Sequence, residues 1–314
     1  MGNTAAKARE AHAHAKSKPK TGRSVQQQKI RSAAATGVLA LPESKLKKLP
    51  EDILELANLR SLDLTANRLT ELPAQLSALK ALKTLRVASN AIATLPDLSA
   101  LGALTTVRDG RLSSDGCWST AFILYKEVGM LKLTLCVFSF KLKLVLDGNV
   151  LEDLPSALPP NLTKLSLKGN RLRNVPRSVL QLPQLQELDL SDNALETLPL
   201  NLGELQELQE LNVDGNKLTE LPAALGRCAK LKVLSARRNT LVGRSAGGKG
   251  QPIAAELLGE GSAVQVMNLE GNPMTKEDFQ GMDGFDAFLT RRTKLKNKEI
   301  HGGLNSDLSL CGLE

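Results

Sequence analysis

The stretch Leu185–Pro199 reads LQELDLSDNALETLP, with apolar residues at 185, 188, 190, 195 and 198 around a single Asn at 193. Leu188 and Leu190 flank one polar residue, which is the period-2 alternation of a strand with one buried face. Asn193 falls where that strand must turn, and its amide can donate to and accept from backbone groups of neighbouring segments. Pro199 ends the unit, because it donates no N–H and fixes φ.

The same frame, LxxLxLxxNxLxxLP, recurs at Leu59–Pro73, Leu82–Pro96, Leu162–Pro176 and Leu208–Pro222. Weaker copies precede and follow these, at Leu39–Pro50 with Ser44 in place of Asn, at Leu231–Leu241 and at Val264–Met274. A single unit cannot bury its own apolar edge, so units must stack and share one core. Each buried Leu contributes roughly 1.5–3 kcal/mol relative to exposure, and an unpaired buried Asn would cost about 1–3 kcal/mol. Both terms favour a continuous stack. A helical bundle with heptad Leu is excluded by the Pro that closes five units at one position.

This motif resembles the leucine-rich repeat family, in particular its intracellular class with 23-residue units, which includes the plant Ras-group-related proteins. The resemblance implies an α/β, right-handed solenoid with a parallel sheet on its concave face. The "MGN" start and the "GFDAFLTRRTKLKNK" end are also similar to the family of leucine-rich repeat-containing protein 57. That likeness implies a small cytosolic and membrane-associated protein.

The expected structural ladder comprises Asn67, Asn90, Asn149, Asn170, Asn193, Asn216, Asn239 and Asn272. Neighbouring members lie 21 to 23 positions apart, with two exceptions. Between Asn239 and Asn272 a Gly-rich surface loop at 243–252 lengthens the unit. Between Asn90 and Asn149 the spacing is 59, and joining Val107 to Val145 would restore a spacing of 22. The surplus of 37 residues, 108–144, holds the chain's only Trp and Tyr, Trp118 and Tyr125. It reads as a structured insertion with a binding role, as a degenerate repeat, or as acquired sequence such as a retained intron.

The expected organisation is therefore a basic tail at 1–35, disordered or helical, then about nine repeats over 36–275. A capping helix follows at 276–298, with Phe279, Met282, Phe285, Phe288 and Leu289 at helical spacing, and a further tail at 299–314.

The chain of 314 residues carries a net charge of +8. Eight Lys and Arg against Glu10 alone in residues 1–31 place +7 of it there, leaving the body at +1. Removal of Met1 would expose Gly2 in a context similar to an N-myristoylation signal, although Ala6 stands where Ser or Thr is preferred. One acyl chain binds membranes only marginally, and the basic tail could add attraction to an anionic leaflet. No apolar run suits a signal peptide or a membrane span, and the four Cys fit no disulfide framework. These features lead us to expect a reducing, cytoplasmic location, peripheral at a membrane.

With the LxL leucines inward, the residues between them face outward on the concave side. Asp63, Arg86, Lys164, Lys168, Glu187, Asp189, Glu210, Asn212, Asp214 and Arg237 are the expected partner-binding positions. An acidic strip of Glu187, Asp189, Glu210 and Asp214 between basic neighbours suits a protein partner with a basic segment. A broad sheet offers no dry pocket to tune these carboxylates for acid–base work, and His occurs only at 12, 14 and 301. No enzyme, cofactor, metal site or small-molecule substrate is expected. Nucleic-acid binding by the tail is disfavoured because no aromatic residues interleave its charges.

The resulting reading is a non-enzymatic interaction scaffold. One alternative is a regulatory subunit in a GTPase or phosphatase pathway; the other is a soluble protein whose basic tail binds RNA or acidic partners.

Overall fold

The structure is a computed structural model and describes residues 22–99, 101, 142–247, 251–302 and 311–313. Nine short strands form one parallel sheet in strict chain order: β1 Val38–Ala40, β2 Ser61–Asp63, β3 Thr84–Arg86, β4 Leu142–Val145, β5 Leu162–Ser166, β6 Glu187–Asp189, β7 Glu210–Asn212, β8 Val233–Ser235 and β9 Val266–Asn268. The LxL leucines pair in register, Leu62 with Leu85, Leu165 with Leu188, and Leu188 with Leu211. All of these leucines are buried. The return path of most units contains a 3-10 helix, as at Ala74–Ala78 and Leu200–Glu204, each beginning after the unit's Pro. The product is an open α/β leucine-rich repeat solenoid with one elongated core.

The Asn side chains tie successive coils together. Asn193 Nδ2 donates to the Leu190 carbonyl of its own coil and to the Leu167 carbonyl of the preceding one, both at 3.0 Å. Its Oδ1 accepts from the Leu172 N–H at 3.1 Å. Asn67, Asn90, Asn149, Asn170, Asn216 and Asn272 repeat this pattern, and Asn239 bonds across to the Val213 carbonyl and the Leu218 N–H. The residue before each Asn adopts positive φ, Gly169 at 65° and Gly215 at 63°, where a side chain costs about 1–2 kcal/mol.

The ladder crosses the 59-residue gap intact. β3 pairs directly with β4, Leu85 beside Leu144, so the sheet is continuous from one side of the gap to the other. This corrects the boundary read from the sequence: Leu142–Leu144, assigned to the surplus 108–144, are strand residues, and Leu142 and Leu144 are core. Leu142–Val145 runs without interruption into Leu146–Asn149. Trp118 and Tyr125 lie outside the described residues.

The two ends are more closely integrated than the sequence reading described. Helix α1, Gly22–Thr36, lies within the segment read as tail and seats Ile30 and Ala33 in the core beside β1. At the other end the expected single helix is two, α3 Lys276–Gln280 and α4 Phe285–Gly302, separated at Gly284 with φ of 88°. A Cβ at Gly284 would meet the Gly259 nitrogen at 2.9 Å, so the close approach of the two segments requires Gly there. Phe279, Phe285 and Phe288 pack edge to face over the last coil. A short helix α2, Ala255–Leu258, precedes β9. Arg291 on α4 donates to the carbonyls of Val264, Gly259 and Leu258, locking the cap to that last coil. The segment 299–314, read from the sequence as a tail, contributes Cys311–Leu313. The Leu269 N–H donates to the Cys311 carbonyl at 2.8 Å, and Cys311 and Leu313 are buried.

The Gly-rich loop is pinned rather than free over its described part. Ser245 donates through its N–H and hydroxyl to Asp278 Oδ1, at 2.8 and 2.6 Å, and Gln251 donates to Asp283. Asp278 and Thr275 form a capping box at the start of α3.

Candidate functional site: the concave face

Strand register turns the outward residues into three rows. The first row reads Thr84, Lys143, Lys164, Glu187, Glu210, Val233. Two lysines are followed by two glutamates on four adjacent strands, which spans about 14 Å at ~4.8 Å per strand. Like charges on neighbouring strands weaken a sheet, so each doublet is a local cost. Lys164 and Glu187 offset part of it through an ion pair at the junction. Lys143 and Glu210, at the outer ends of the doublets, are exposed. Neither forms an ion pair among the described residues.

The second row contains Asp63, Arg86, Ser166, Asp189, Asn212 and Ser235. Asp63 Oδ1 accepts from the Thr65 N–H at 2.9 Å, Asp189 Oδ1 from Ser191 N–H at 2.9 Å, and Asn212 Oδ1 from Asp214 N–H at 3.0 Å. These side chains close turns at the strand ends. Arg86 is exposed.

The third row places Asp147, Lys168, Ser191, Asp214, Arg237 and Glu270 in sequence along the stack, each coil linked to the next by backbone bonds. Asp214 Oδ1 accepts from the Ser235 hydroxyl and the Arg237 N–H, both at 2.7 Å. Asp147 repeats the arrangement, accepting from the Ser166 hydroxyl at 2.5 Å and the Lys168 N–H at 3.1 Å. Burial pushes the Asp147 carboxyl above its ordinary value, against the Ser166 bond that lowers it. Lys168 reaches Asp192 at 3.4 Å, as does Arg238, and Arg237 lies 3.7 Å from Glu270.

The ten expected positions thus share one face but differ in availability. Of the four strip carboxylates, Asp189 closes a turn, Asp214 is bonded to the next coil and Glu187 is held in an ion pair, which leaves Glu210 exposed. Lys143 and Asp147 are concave residues that the sequence reading missed, Lys143 because it was assigned to the surplus 108–144. The signal was present: Leu144, Leu146 and Asn149 carry the LxLxxN frame on their own. Gly2 lies outside the described residues.

Cys228 and Cys311 are buried, and burial pushes each thiol up to about 11. Thiols in that state are poor nucleophiles at neutral pH. No group of three or more His, Cys, Asp or Glu able to hold a metal occurs among the described residues.

Comparison with known proteins identifies the architecture. Residues 160–218 and 58–79 match two family models, each described as leucine rich repeat. The leucine-rich repeat domain of APL1B is similar over 75% of this chain and 54% of that one, with a TM-score of 0.50 and 20% identity. A TDR receptor is similar over 77% and 37%, with a TM-score of 0.51 and 21% identity. The chain therefore spans about half or less of the structures it resembles. No curated protein matches the chain. The two matched segments are thus leucine-rich repeats set within a solenoid of that fold, and leucine-rich repeat domains generally serve as protein-interaction modules.

Proposed function

We propose that this protein is an interaction scaffold whose concave sheet binds a protein partner across the Lys143, Lys164, Glu187 and Glu210 row. The observation that carries the reading is the register of that row, which sets two positive and two negative side chains side by side. A partner of matching polarity has acidic residues opposite the lysines and basic residues opposite the glutamates, so charge fixes its orientation along the stack. The row sharpens the acidic strip read from sequence into a bipolar one.

Acylation at Gly2, with the basic residues behind it, completes the proposal as a peripheral membrane tether. Support for it, and for the finer resemblance to the family of leucine-rich repeat-containing protein 57, comes from the sequence context alone. A role in signalling, as a regulatory subunit, belongs to the same proposal.

Affinity capture with mass spectrometry tests the concave face. Glu210→Lys is expected to lose the captured partner, while Glu196→Lys, at an exposed position away from the row, retains it. An unchanged partner set in Glu210→Lys sinks the concave assignment. Metabolic labelling with a myristate analogue tests the tether, and absence of label on the wild type removes it.

A further inference from the structure

A second, chemically different site lies away from the concave rows, on the return path between the fourth and fifth coils. Residues 146–161 contain no helix, in contrast to the 3-10 turns that follow at Val179–Gln181, Leu200–Glu204 and Ala223–Arg227. Pro155, Pro159 and Pro160 in this stretch supply no N–H for one. The thinner coil leaves a groove of about 970 Å³ between the two return paths.

Its lining carries both signs of charge. Arg171, Arg173 and Arg177 of the fifth coil line it together with Glu152 and Asp153 of the fourth. None of the three guanidinium groups forms an ion pair or side-chain hydrogen bond among the described residues. Ser178 also lines the groove; it is 4% exposed, and its Oγ is out of solvent with no hydrogen-bond partner. A buried hydroxyl without a partner is a cost that a bound acceptor or donor would remove.

We infer that this groove binds an extended acidic peptide of a partner protein. Arg171 and Arg173 are both exposed on either side of fully buried Leu172, so they share one outward side, roughly 6–7 Å apart in an extended chain. Alternate carboxylates of an extended peptide have the same spacing. Arginine forks give each carboxylate charge-assisted, paired hydrogen bonds. Ser178 then bonds the peptide backbone.

The test uses the full chain and a fluorescent decapeptide of alternating Glu and Ala, read by anisotropy at low ionic strength. Saturable binding is expected, with none for the Gln-for-Glu peptide. The Arg171→Ala/Arg173→Ala variant is expected to bind about tenfold more weakly or worse, since charged hydrogen bonds are lost. Ser178→Ala is expected to bind several-fold more weakly while its thermal midpoint is not lowered, a combination that a purely structural serine would not give. Both variants retain the basic N-terminal segment, so peptide held there survives the substitutions. Unchanged affinity in either variant overturns the assignment. Displacement of the peptide by millimolar inorganic phosphate also overturns it, in favour of a small-anion site.

Discussion

Asn149 accepts a hydrogen bond from the Ile92 N–H at 3.2 Å although 57 positions separate the two residues. Its Nδ2 donates back to the Val87 carbonyl at 3.1 Å. These bonds reproduce those of uninterrupted neighbours such as Asn193 and Leu172, so one buried amide carries the ladder across the point where the chain departs.

Asn149→Ala is therefore expected to be more damaging than an equivalent change at the end of the ladder. It leaves the buried Ile92 N–H without a partner, which costs about 1–3 kcal/mol for that group alone. Coupling between neighbouring coils is the quantity lost, so equilibrium urea unfolding should show a broadened or two-step transition. Asn272→Ala, at a half-exposed position, is expected to cost less and leave the transition single. Equal effects in the two variants would argue against a ladder that depends on Asn149.

Removing residues 105–141 should leave the fold intact. The deletion places Leu104 before Leu142 and shortens the Asn90–Asn149 spacing from 59 to 22. Loop closure changes by about 0.6 kcal/mol per doubling of length, so stability is expected to stay level or rise by about 1 kcal/mol. Urea midpoints of the two chains provide the comparison. A deletion variant that cannot fold would show that this segment contributes to the core.

The capping region should be acid-sensitive through Asp278. Hydrogen bonds from the Ser245 hydroxyl and N–H hold its carboxyl down to about 2, from an ordinary value of 3.8. A depressed pKa means the folded state binds the proton less readily than the unfolded one. Its stabilisation is present above pH 3.8 and is lost as pH falls from there toward 2. Thermal midpoints measured across that window should fall less steeply in Ser245→Ala than in the wild type. Parallel curves would remove this link as a source of acid sensitivity.

Much of the fold was legible because the repeat states one physical requirement many times over. Leu-x-Leu gives the strand, Asn the ladder and Pro the return, and spacing alone located the interruption. What was not legible has particular causes. Two apolar segments, Leu104–Val107 and Leu142–Leu144, can each supply the fourth strand, and spacing does not distinguish them; contiguity with Leu146–Asn149 does. For helix α1 the sequence left disorder and helix both open, because the buried stripe of Ile30 and Ala33 is too faint to decide between them. The break in the C-terminal helix depends on Gly284 meeting Gly259, a contact between segments that no local pattern announces. On the concave face, alternation placed Asp63, Asp189 and Asn212 correctly. It could not show that each turns back to accept the N–H two residues on, which removes part of the expected acidic strip and leaves Glu210 prominent.

Site-specific photo-crosslinking at position 210 tests the proposed interface most directly. A photoreactive residue replaces Glu210 in one version of the full chain and Glu196 in another, and covalent adducts formed in cells are compared. The account predicts a discrete protein adduct from position 210 that is absent from position 196. Adducts of equal yield from both positions, or none from 210 while the protein is folded, would contradict a concave-face partner.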